Sequence, residues 1–303
     1  MVNQEDPLVT VYMPTHNRGD LIRKAIDSVL NQTYKNIELI ICNDGSSDHT
    51  SSILEEYSSK DNRVRYLTNE TSKGACFSRN RCIEIARGDF ITGIDDDDEF
   101  TDKRIEIFLN AFRVMGHSIL SASRIYKDQS NEKLGDLFEG KIDIKMLGDA
   151  NMIGNQLFTK TSYIRSLHGF DANFPAWQDY DMWYRLVKKY GYCFKLSEPT
   201  YIFYVDEDRP RITTGSRAHA GYLMFIDKHK ASLSKSNFKS LYVQDLINRG
   251  QPITFNDLSK HLTYLNLKIF IKYKLKSYYF ITRLYTLFFK KNRRMERMND
   301  GNN

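Results

Sequence analysis

The first hundred residues alternate short apolar runs with segments in which apolar residues recur at helical spacing, and this alternation constrains the fold most. The apolar runs are typical of buried strands and cover residues 8–13, 37–42, 63–67 and 89–94. Alternating strands and helices predict a mostly parallel sheet with helices on both faces, joined by right-handed crossovers. In such a sheet, ligands bind at the carboxyl ends of the strands.

The segments between these strands predict helices, the first of them over residues 21–30 with Asp20 as its N-terminal cap. The second half is less regular, and residues 127–148 remain ambiguous. There we expect strands over 118–126 and 200–205, helices over 179–190 and 218–230, and only helices beyond about 237.

Four consecutive aspartates, Asp95 to Asp98, follow the fourth strand directly. Like charges this close repel one another, and a bound cation removes that cost. Carboxylates without histidine or cysteine suit Mg²⁺ or Mn²⁺, and Asp95 and Asp97, two residues apart on one face, are the candidate ligands. The alternative is an acidic surface turn or a helix start capped by Asp98 or Thr101.

Asp44 ends the second strand, where a carboxylate can accept hydrogen bonds from a base N–H or a ribose hydroxyl. The first strand is not followed by GxGxxG, and the sequence contains no GxxxxGK[ST]. Dinucleotide-dependent redox chemistry and P-loop ATPase chemistry are therefore disfavoured.

Five motifs together resemble the family 2 glycosyltransferases, over roughly residues 7–217. They are PTHNR at 14–18, NDGSSD at 43–48, Gly74 with SRN at 78–80, IDDDD at 94–98, and GFD at 169–171 followed by WQDYDMWYRL at 177–186. The resemblance implies inverting enzymes of the GT-A fold, a Rossmann-like α/β architecture with a mostly parallel central sheet. It also implies a nucleotide-sugar donor and a divalent metal ion.

The resemblance implies a role for each matched residue. Asp44 would contact the uracil of a UDP-sugar, and Asp179 would be the general base, although Gln178 replaces the family's usual Glu and leaves Asp181 as the fallback. Asp97 would coordinate Mg²⁺ or Mn²⁺, and Asp95 would contact ribose or metal. The remaining expected nucleotide-sugar contacts are Thr15, Arg18, Lys73, Arg79, Asp96 and Trp177.

Several of these residues also have purely structural interpretations. Asp179 also suits the cap of a helix, Trp177 is equally consistent with a packed aromatic residue, and Arg185 is expected to form a structural ion pair. Residues 209–216, which include Arg211, are either a lid over the diphosphate or a plain surface loop.

The charge of the chain is concentrated near its end. The net charge is +6, but residues 264–298 hold ten basic residues and one acidic one, so the rest is slightly acidic. On a helical wheel the cations lie opposite the apolar residues, which predicts an interfacial helix on an anionic membrane. A helix packed on the catalytic domain is the alternative. Nucleic-acid binding is disfavoured because the aromatic residues are not interleaved with the cations.

The sequence therefore predicts a catalytic domain over residues 1–230, with a nucleotide-binding half at 1–98 and an acceptor-binding half at 99–230. A helical region follows over 231–303. We expect a cytoplasmic enzyme, peripheral on the inner face of the membrane, with neither a signal peptide nor a membrane span. It would use a UDP-sugar donor and a lipid-linked saccharide acceptor. A nucleotidyltransferase and a non-catalytic nucleotide-sugar-binding scaffold are the alternatives.

Overall fold

The computed structural model describes residues 6–135, 137–205 and 215–271. The strands of this part form one mixed sheet, in the order β3-β2-β1-β4-β9-β6-β10-β5, with β7 added beside β6 and β8 beside β10. Helices cover the sheet, and its longest ladders are parallel, between β1 and β2 and between β6 and β10. The predicted α/β architecture with a mostly parallel sheet is confirmed.

The four strands predicted in the first hundred residues are present. They are β1 (Val9–Thr15), β2 (Ile37–Asn43), β3 (Val64–Thr68) and β4 (Phe90–Gly93). β1 lies between β2 and β4 and runs parallel to both, with Thr15 opposite Asn43. The loops that follow these three strands therefore leave the sheet at the same edge.

The second half adds shorter strands and one long strand. They are β5 (Glu99–Phe100), β6 (Leu120–Lys127), β7 (Glu132–Leu134), β8 (Gly140–Asp143), β9 (Phe158–Lys160) and β10 (Tyr192–Tyr204). β10 begins eight residues before the predicted strand at 200. Its register against β6 shifts around Pro199, and this irregularity breaks the alternation that would have indicated a longer strand.

Ten helices have bounds within the described residues. They are α1 (Ile22–Leu30), α2 (Thr50–Lys60), α3 (Ala75–Ile85), α4 (Arg104–Met115), α5 (Ile144–Asp149), α6 (Thr161–Arg165), α7 (Gln178–Tyr190), α8 (Gly215–His229), α9 (Lys235–Asn248) and α10 (Phe255–Lys260). The sequence prediction omitted α4, although its buried residues Ile105, Phe108 and Leu109 have helical spacing.

The predicted cap of α1 is wrong. The N-cap residue is Leu21, which makes no side-chain capping hydrogen bond. The backbone N–H groups of Leu21 and Ile22 instead donate to the carbonyl oxygen of Arg18, at 2.9 Å each. This turn satisfies the first donors of the helix, and the Asp20 side chain stays exposed.

Two apolar clusters pack on the sheet. One contains α1, α2 and α4 against strand residues such as Val11 and Phe158, and the other contains α3 and α7 against strand residues such as Tyr12 and Ile40. Because successive residues of a strand point to opposite faces, Val11 and Tyr12 belong to different clusters. Both faces of the central strands are therefore buried.

The C-terminal part of the described chain is helical, as predicted, and residues 264–271 begin a further helix. None of the helices within the described residues is long and apolar enough to cross a membrane. Most of the basic segment predicted to bind membranes lies outside the described residues, and the domain boundary at 230 stays a prediction.

Candidate active site

A cleft of about 570 Å³ lies at the carboxyl edge of β1, β2 and β4. It is bounded by the loops after these strands, by the start of α3 and by the start of α7. Ten residues were predicted for the site. Those that line the cleft are Thr15, Arg18, Asp44, Arg79, Asp95, Asp96, Asp97 and Asp179. Residues up to 164 positions apart in the chain thus converge on one site.

Asp44 accepts four hydrogen bonds at the end of β2. The side chains of Asn69 and Ser72 donate at 2.6 and 2.7 Å, and the backbone N–H groups of Lys73 and Gly74 each donate at 2.8 Å. Burial opposes the charged form of Asp44, but these donors outweigh it and hold its pKa at about 2. Asp44 is therefore ionised and fixes the loop before α3 against the end of β2.

Gly45 permits this close approach of the two loops. Its φ is +69°, and a Cβ atom there would lie 2.9 Å from the backbone nitrogen of Ser72. A side chain at position 45 would force the loops apart.

Asp95 is held by three donors from distant parts of the chain. Arg79 and Gln156 donate to its Oδ1, and Asn155 donates to its Oδ2, each at 3.1 Å. Arg79 is largely buried, and Asp95 keeps the pKa of its guanidinium above the ordinary value although burial opposes the charge. The Arg79 Nε–H has no acceptor within the part of the chain described here, so one donor remains for a ligand.

The next two aspartates face the cleft beside Arg18. The Arg18 guanidinium lies 3.6 Å from Asp96 and 4.0 Å from Asp97. Burial raises the pKa of Asp96 to about 7, and the neighbouring Asp97 and Asp95 contribute to this shift. The loop therefore concentrates acidic groups that a cation would stabilise.

Asp98 has a different role. Its side chain is buried, accepts a hydrogen bond from the Tyr201 hydroxyl at 2.8 Å and binds the backbone N–H of Tyr204 at 3.1 Å. Burial, followed by the charges of Asp95 and Asp97, raises its pKa well above the ordinary value. The N-cap of α4 is Lys103, so the alternative in which Asp98 or Thr101 caps this helix is wrong.

Asp179 lies at the opposite wall of the cleft, in the first turn of α7. Its Oδ1 accepts the backbone N–H of Tyr180 at 2.8 Å, and the Asn151 Nδ2 lies 3.4 Å from its Oδ2. Burial raises the pKa of Asp179 to about 6, although Tyr180 and Arg79 oppose the shift. A carboxylate with this pKa can accept a proton near neutral pH.

Asp179 is not the cap of α7. The N-cap is Trp177, whose φ of +65° turns the chain sharply into the helix. This turn aims Asp179 from the first helical turn toward the cleft.

Two predicted contacts do not line the cleft. The Lys73 ammonium lies over the ring of Phe77, 4.9 Å from its centroid, and only its backbone N–H serves the site through Asp44. Trp177 is buried and packs against Tyr180 and Phe225, so the interpretation as a packed aromatic residue is the right one.

The fallback base, Asp181, is also outside the cleft. It is fully buried and contacts Arg185 Nε at 2.8 Å, His229 Nε2 at 2.9 Å and Lys228 Nζ at 3.0 Å. Burial opposes its charge, but these partners hold its pKa below the ordinary value. Asp181 therefore anchors α7 to α8, and the structural ion pair predicted for Arg185 is confirmed.

Sequence reasoning missed several residues at the site. Asn155 and Gln156 belong to no recognisable motif, and only the packing of the short strand β9 against β4 brings them to Asp95. Arg217 of α8 also lines the cleft. It follows the segment predicted as a lid, of which residues 209–214, including Arg211, lie outside the described residues.

Comparisons with known proteins show the family of the chain. The family model described as "Glycosyl transferase family 2" matches residues 10–166. The putative colanic acid biosynthesis glycosyl transferase WcaA of Escherichia coli K12 is 35% identical over 245 residues, which cover 78% of this chain and 86% of the relative. The Escherichia coli UDP-Glc:alpha-D-GlcNAc-diphosphoundecaprenol beta-1,3-glucosyltransferase WfgD is 32% identical over 184 residues, which cover 61% and 71% of the two chains.

Among solved structures, the chain is similar to Staphylococcus aureus TarS 1–349 in complex with UDP-GlcNAc. The TM-score is 0.64 at 15% sequence identity, and the match covers 87% of this chain and 78% of the other. At this identity the likeness concerns the fold, and it confirms the predicted GT-A-like architecture.

Proposed function

The chain belongs to glycosyl transferase family 2 and is a glycosyltransferase, and we propose that it transfers a sugar with inversion from a UDP-sugar to a hydroxyl of a lipid-linked saccharide. The observation that carries the proposal is the convergence of Asp44, Arg79, the Asp95–Asp97 loop and Asp179 on one cleft. Family membership disfavours the nucleotidyltransferase and scaffold alternatives.

The donor is proposed to bind along the carboxyl edge of β1, β2 and β4. Arg79 supplies a buried cation with a spare N–H, and Arg18 and Arg217 add positive charge to the same cleft. Guanidinium groups match the oxygens of a diphosphate well. The TarS neighbours were crystallised with UDP-GlcNAc and with UDP, which supports a uridine nucleotide here.

The proposed contact of Asp44 with uracil needs one refinement. All four acceptor positions of its carboxylate are filled by donors of the protein. Asp44 therefore serves nucleotide binding by fixing the loop at residues 69–74, and a base that contacts it must share or displace one of these donors.

A divalent metal ion fits the aspartate loop. Burial raises the pKa of Asp96, the charges of Asp97 and Asp95 raise it further, and a cation would offset that part of the shift. Within the described residues no group of three or more acidic, histidine or cysteine side chains could hold an ion alone. The donor set suits Mg²⁺ or Mn²⁺ held by one or two carboxylates together with phosphate oxygens of the donor.

Asp97 is the proposed principal metal ligand. Asp95 is the weaker second ligand, because Arg79, Asn155 and Gln156 already occupy its oxygens. The ion would act as a Lewis acid that stabilises negative charge on the leaving diphosphate.

Asp179 is the proposed general base. An inverting transfer is a single in-line displacement, in which the acceptor oxygen bonds to the sugar carbon as the bond to the diphosphate breaks. The acceptor hydroxyl must lose its proton, and Asp179, held by Tyr180 and facing the cleft, is placed to take it. Arg79 stabilises the developing charge on the diphosphate.

The relatives and the basic segment support a proposal for the acceptor and the location. WfgD is named for an acceptor in which GlcNAc is attached to diphosphoundecaprenol, and WcaA for colanic acid biosynthesis. We extend the proposal to a lipid-diphosphate-linked acceptor in surface-polysaccharide assembly. The basic segment at residues 264–298 would hold the enzyme on the anionic inner face of the membrane.

The test is a screen of UDP-sugars against lipid-diphosphate-linked monosaccharides with Mg²⁺ or Mn²⁺, followed by linkage analysis. We expect transfer with one UDP-sugar, loss of transfer with EDTA and loss in the Asp97→Ala variant, whose folding is checked by circular dichroism. The exposed Asp102→Ala is the control for removing a carboxylate. Transfer that persists in EDTA-treated enzyme and in Asp97→Ala would refute the metal assignment. Sugar-phosphate activation by a nucleoside triphosphate would refute the reaction class.

A further inference from the structure

A second cavity, of about 250 Å³, lies beside the wall of the cleft that carries Asp179. It is formed by β6, by β10 and by the turn at residues 151–154. We call it the basic cavity, and its lining residues are Ser123, Arg124, Tyr126, Asn151, Met152 and Lys195. Among these described residues there are two cations and no carboxylate, which is the composition of a site for an anion.

Lys195 places a positive charge inside the protein. The residue is only 5% exposed, and its ammonium donates to the carbonyl oxygen of Met152 at 3.2 Å. This contact fixes the ammonium at the wall of the basic cavity. Charges attract more strongly in such a poorly solvated place than in water, so the Coulomb attraction on an anion that enters is stronger than it would be at the surface.

Arg124 is positioned by a glycine. Gly154 has a φ of +102°, and a Cβ atom at this position would lie 2.0 Å from an Arg124 guanidinium nitrogen. The guanidinium therefore rests directly on the turn at residues 151–154, and a larger residue at position 154 would displace it. The turn and the cation form one preorganised unit.

Asn151 connects the basic cavity with the catalytic carboxylate. Its side chain lines the cavity, its Nδ2 donates to the Gly154 carbonyl oxygen at 3.1 Å, and the same Nδ2 lies 3.4 Å from Asp179 Oδ2. One side-chain amide thus separates the cavity from the group proposed to deprotonate the acceptor. The donor diphosphate has its own cations, Arg18 and Arg79, in the cleft.

We propose that the basic cavity binds the phosphate next to the sugar in the acceptor, so that the enzyme recognises a glycosyl diphosphate. This inference rests on the proposed function. The acceptor sugar lies over Asn151 with its reacting hydroxyl at Asp179, and its anomeric phosphate enters the cavity between Arg124 and Lys195. The volume is below the range of about 300–1,000 Å³ typical of drug-sized ligands and suits one or two phosphate groups.

Binding is tested first without catalysis. Inorganic pyrophosphate is titrated calorimetrically into the full-length protein in the presence of saturating UDP, which occupies the donor site. We expect binding by the wild type and at least a tenfold weaker affinity in Arg124→Gln, with partial recovery in Arg124→Lys. Lys127→Gln is the matched control, because Lys127 lies on the same strand and pairs with Glu132 outside the cavity. Equal affinity in Arg124→Gln, or no binding by the UDP-saturated wild type, overturns the proposal.

Kinetics then identify the source of the phosphate. A short-chain alkyl diphosphate of GlcNAc is compared with the alkyl glycoside of GlcNAc as acceptor. We expect Arg124→Gln to raise the KM of the diphosphate acceptor at least tenfold and that of the glycoside less than twofold. Equal effects on both acceptors would refute phosphate recognition. Lys195→Met is tested in the same way, with the same expected difference between the two acceptors, once its melting temperature shows that it folds.

The two proposals fail in different ways. Absence of any transfer or hydrolysis of UDP-sugars contradicts the proposed function, whereas the pyrophosphate titration does not depend on turnover. If the enzyme turns over UDP-sugars but wild type and Arg124→Gln bind pyrophosphate with the same affinity, the proposed function stands and phosphate binding in the basic cavity is refuted.

Discussion

Replacing Asp179 by asparagine is expected to remove most of the activity and, at neutral pH, to stabilise the fold. The amide cannot accept the acceptor proton, and a positioned general base contributes about 10²–10⁴-fold to the rate. Asparagine keeps an oxygen for the backbone N–H of Tyr180, so the geometry at the start of α7 is retained.

The stabilisation follows from the pKa of Asp179. Burial raises it from 3.8 to about 6, so between these values the folded state binds more protons than the unfolded state. The free energy of unfolding of the wild type therefore falls as the pH rises through this window. The full loss corresponds to about 3 kcal/mol, and solvent screening of the partly exposed side chain keeps it below that figure. Asparagine does not ionise and avoids the loss.

Two measurements on Asp179→Asn check this reasoning. Urea unfolding at pH 4 and pH 7.5 is expected to show a variant that is more stable than the wild type at pH 7.5, with a smaller difference at pH 4. In the wild type, kcat/KM is expected to fall as the pH drops below about 6, because Asp179 becomes protonated. Asp102→Asn, at an exposed position, controls for the change from carboxylate to amide. A less stable variant at pH 7.5, or an active one, would refute the assignment.

Three further substitutions test the residues that hold the loop before α3 and the helix α7 in place. Asp44→Ala leaves the buried hydrogen-bond donors of the loop at residues 69–74 without their acceptor. We therefore expect the free energy of unfolding to fall by about 2–4 kcal/mol and the KM for the UDP-sugar to rise at least tenfold. Ser72→Ala removes one of these hydrogen bonds, and its free energy of unfolding should fall by only about 1 kcal/mol. An equal fall in Ser72→Ala and Asp44→Ala would show that Asp44 does not organise the loop. Asp181→Ala leaves Arg185 and His229 buried without their carboxylate, and urea unfolding is expected to show a loss of about 3–5 kcal/mol. A loss below 1 kcal/mol would contradict an anchoring role for Asp181.

The fold of the first hundred residues could be predicted because its signals are local. Strands buried on both faces are continuous apolar runs, and α1 has its apolar residues at helical spacing. The second half gave weaker signals. β9 is three residues long, and β10 is interrupted around Pro199, so neither has the regular pattern from which a strand can be recognised.

The candidate site could be predicted only in part, for a related reason. Eight of the ten predicted residues line the cleft because they end or follow a strand, or lie in the first two turns of a helix, at the same edge of the sheet. Lys73 and Trp177 also occupy such positions, yet their side chains pack against Phe77 and Phe225. Sequence position indicates which edge of the sheet a residue reaches, but not which way its side chain turns.

The sequence by itself determined the order of strands and helices and the loops that carry acidic residues, because these depend on neighbours within a few positions. Only the tertiary structure decided how the aspartates differ. Asp95 is held by Gln156, 61 residues away, Asp98 is buried under Tyr201, and Asp179 is desolvated beside Asn151. The charge state of a carboxylate depends on its burial and on the donors around it. Segments distant in sequence supply both, and they meet only when the sheet is assembled.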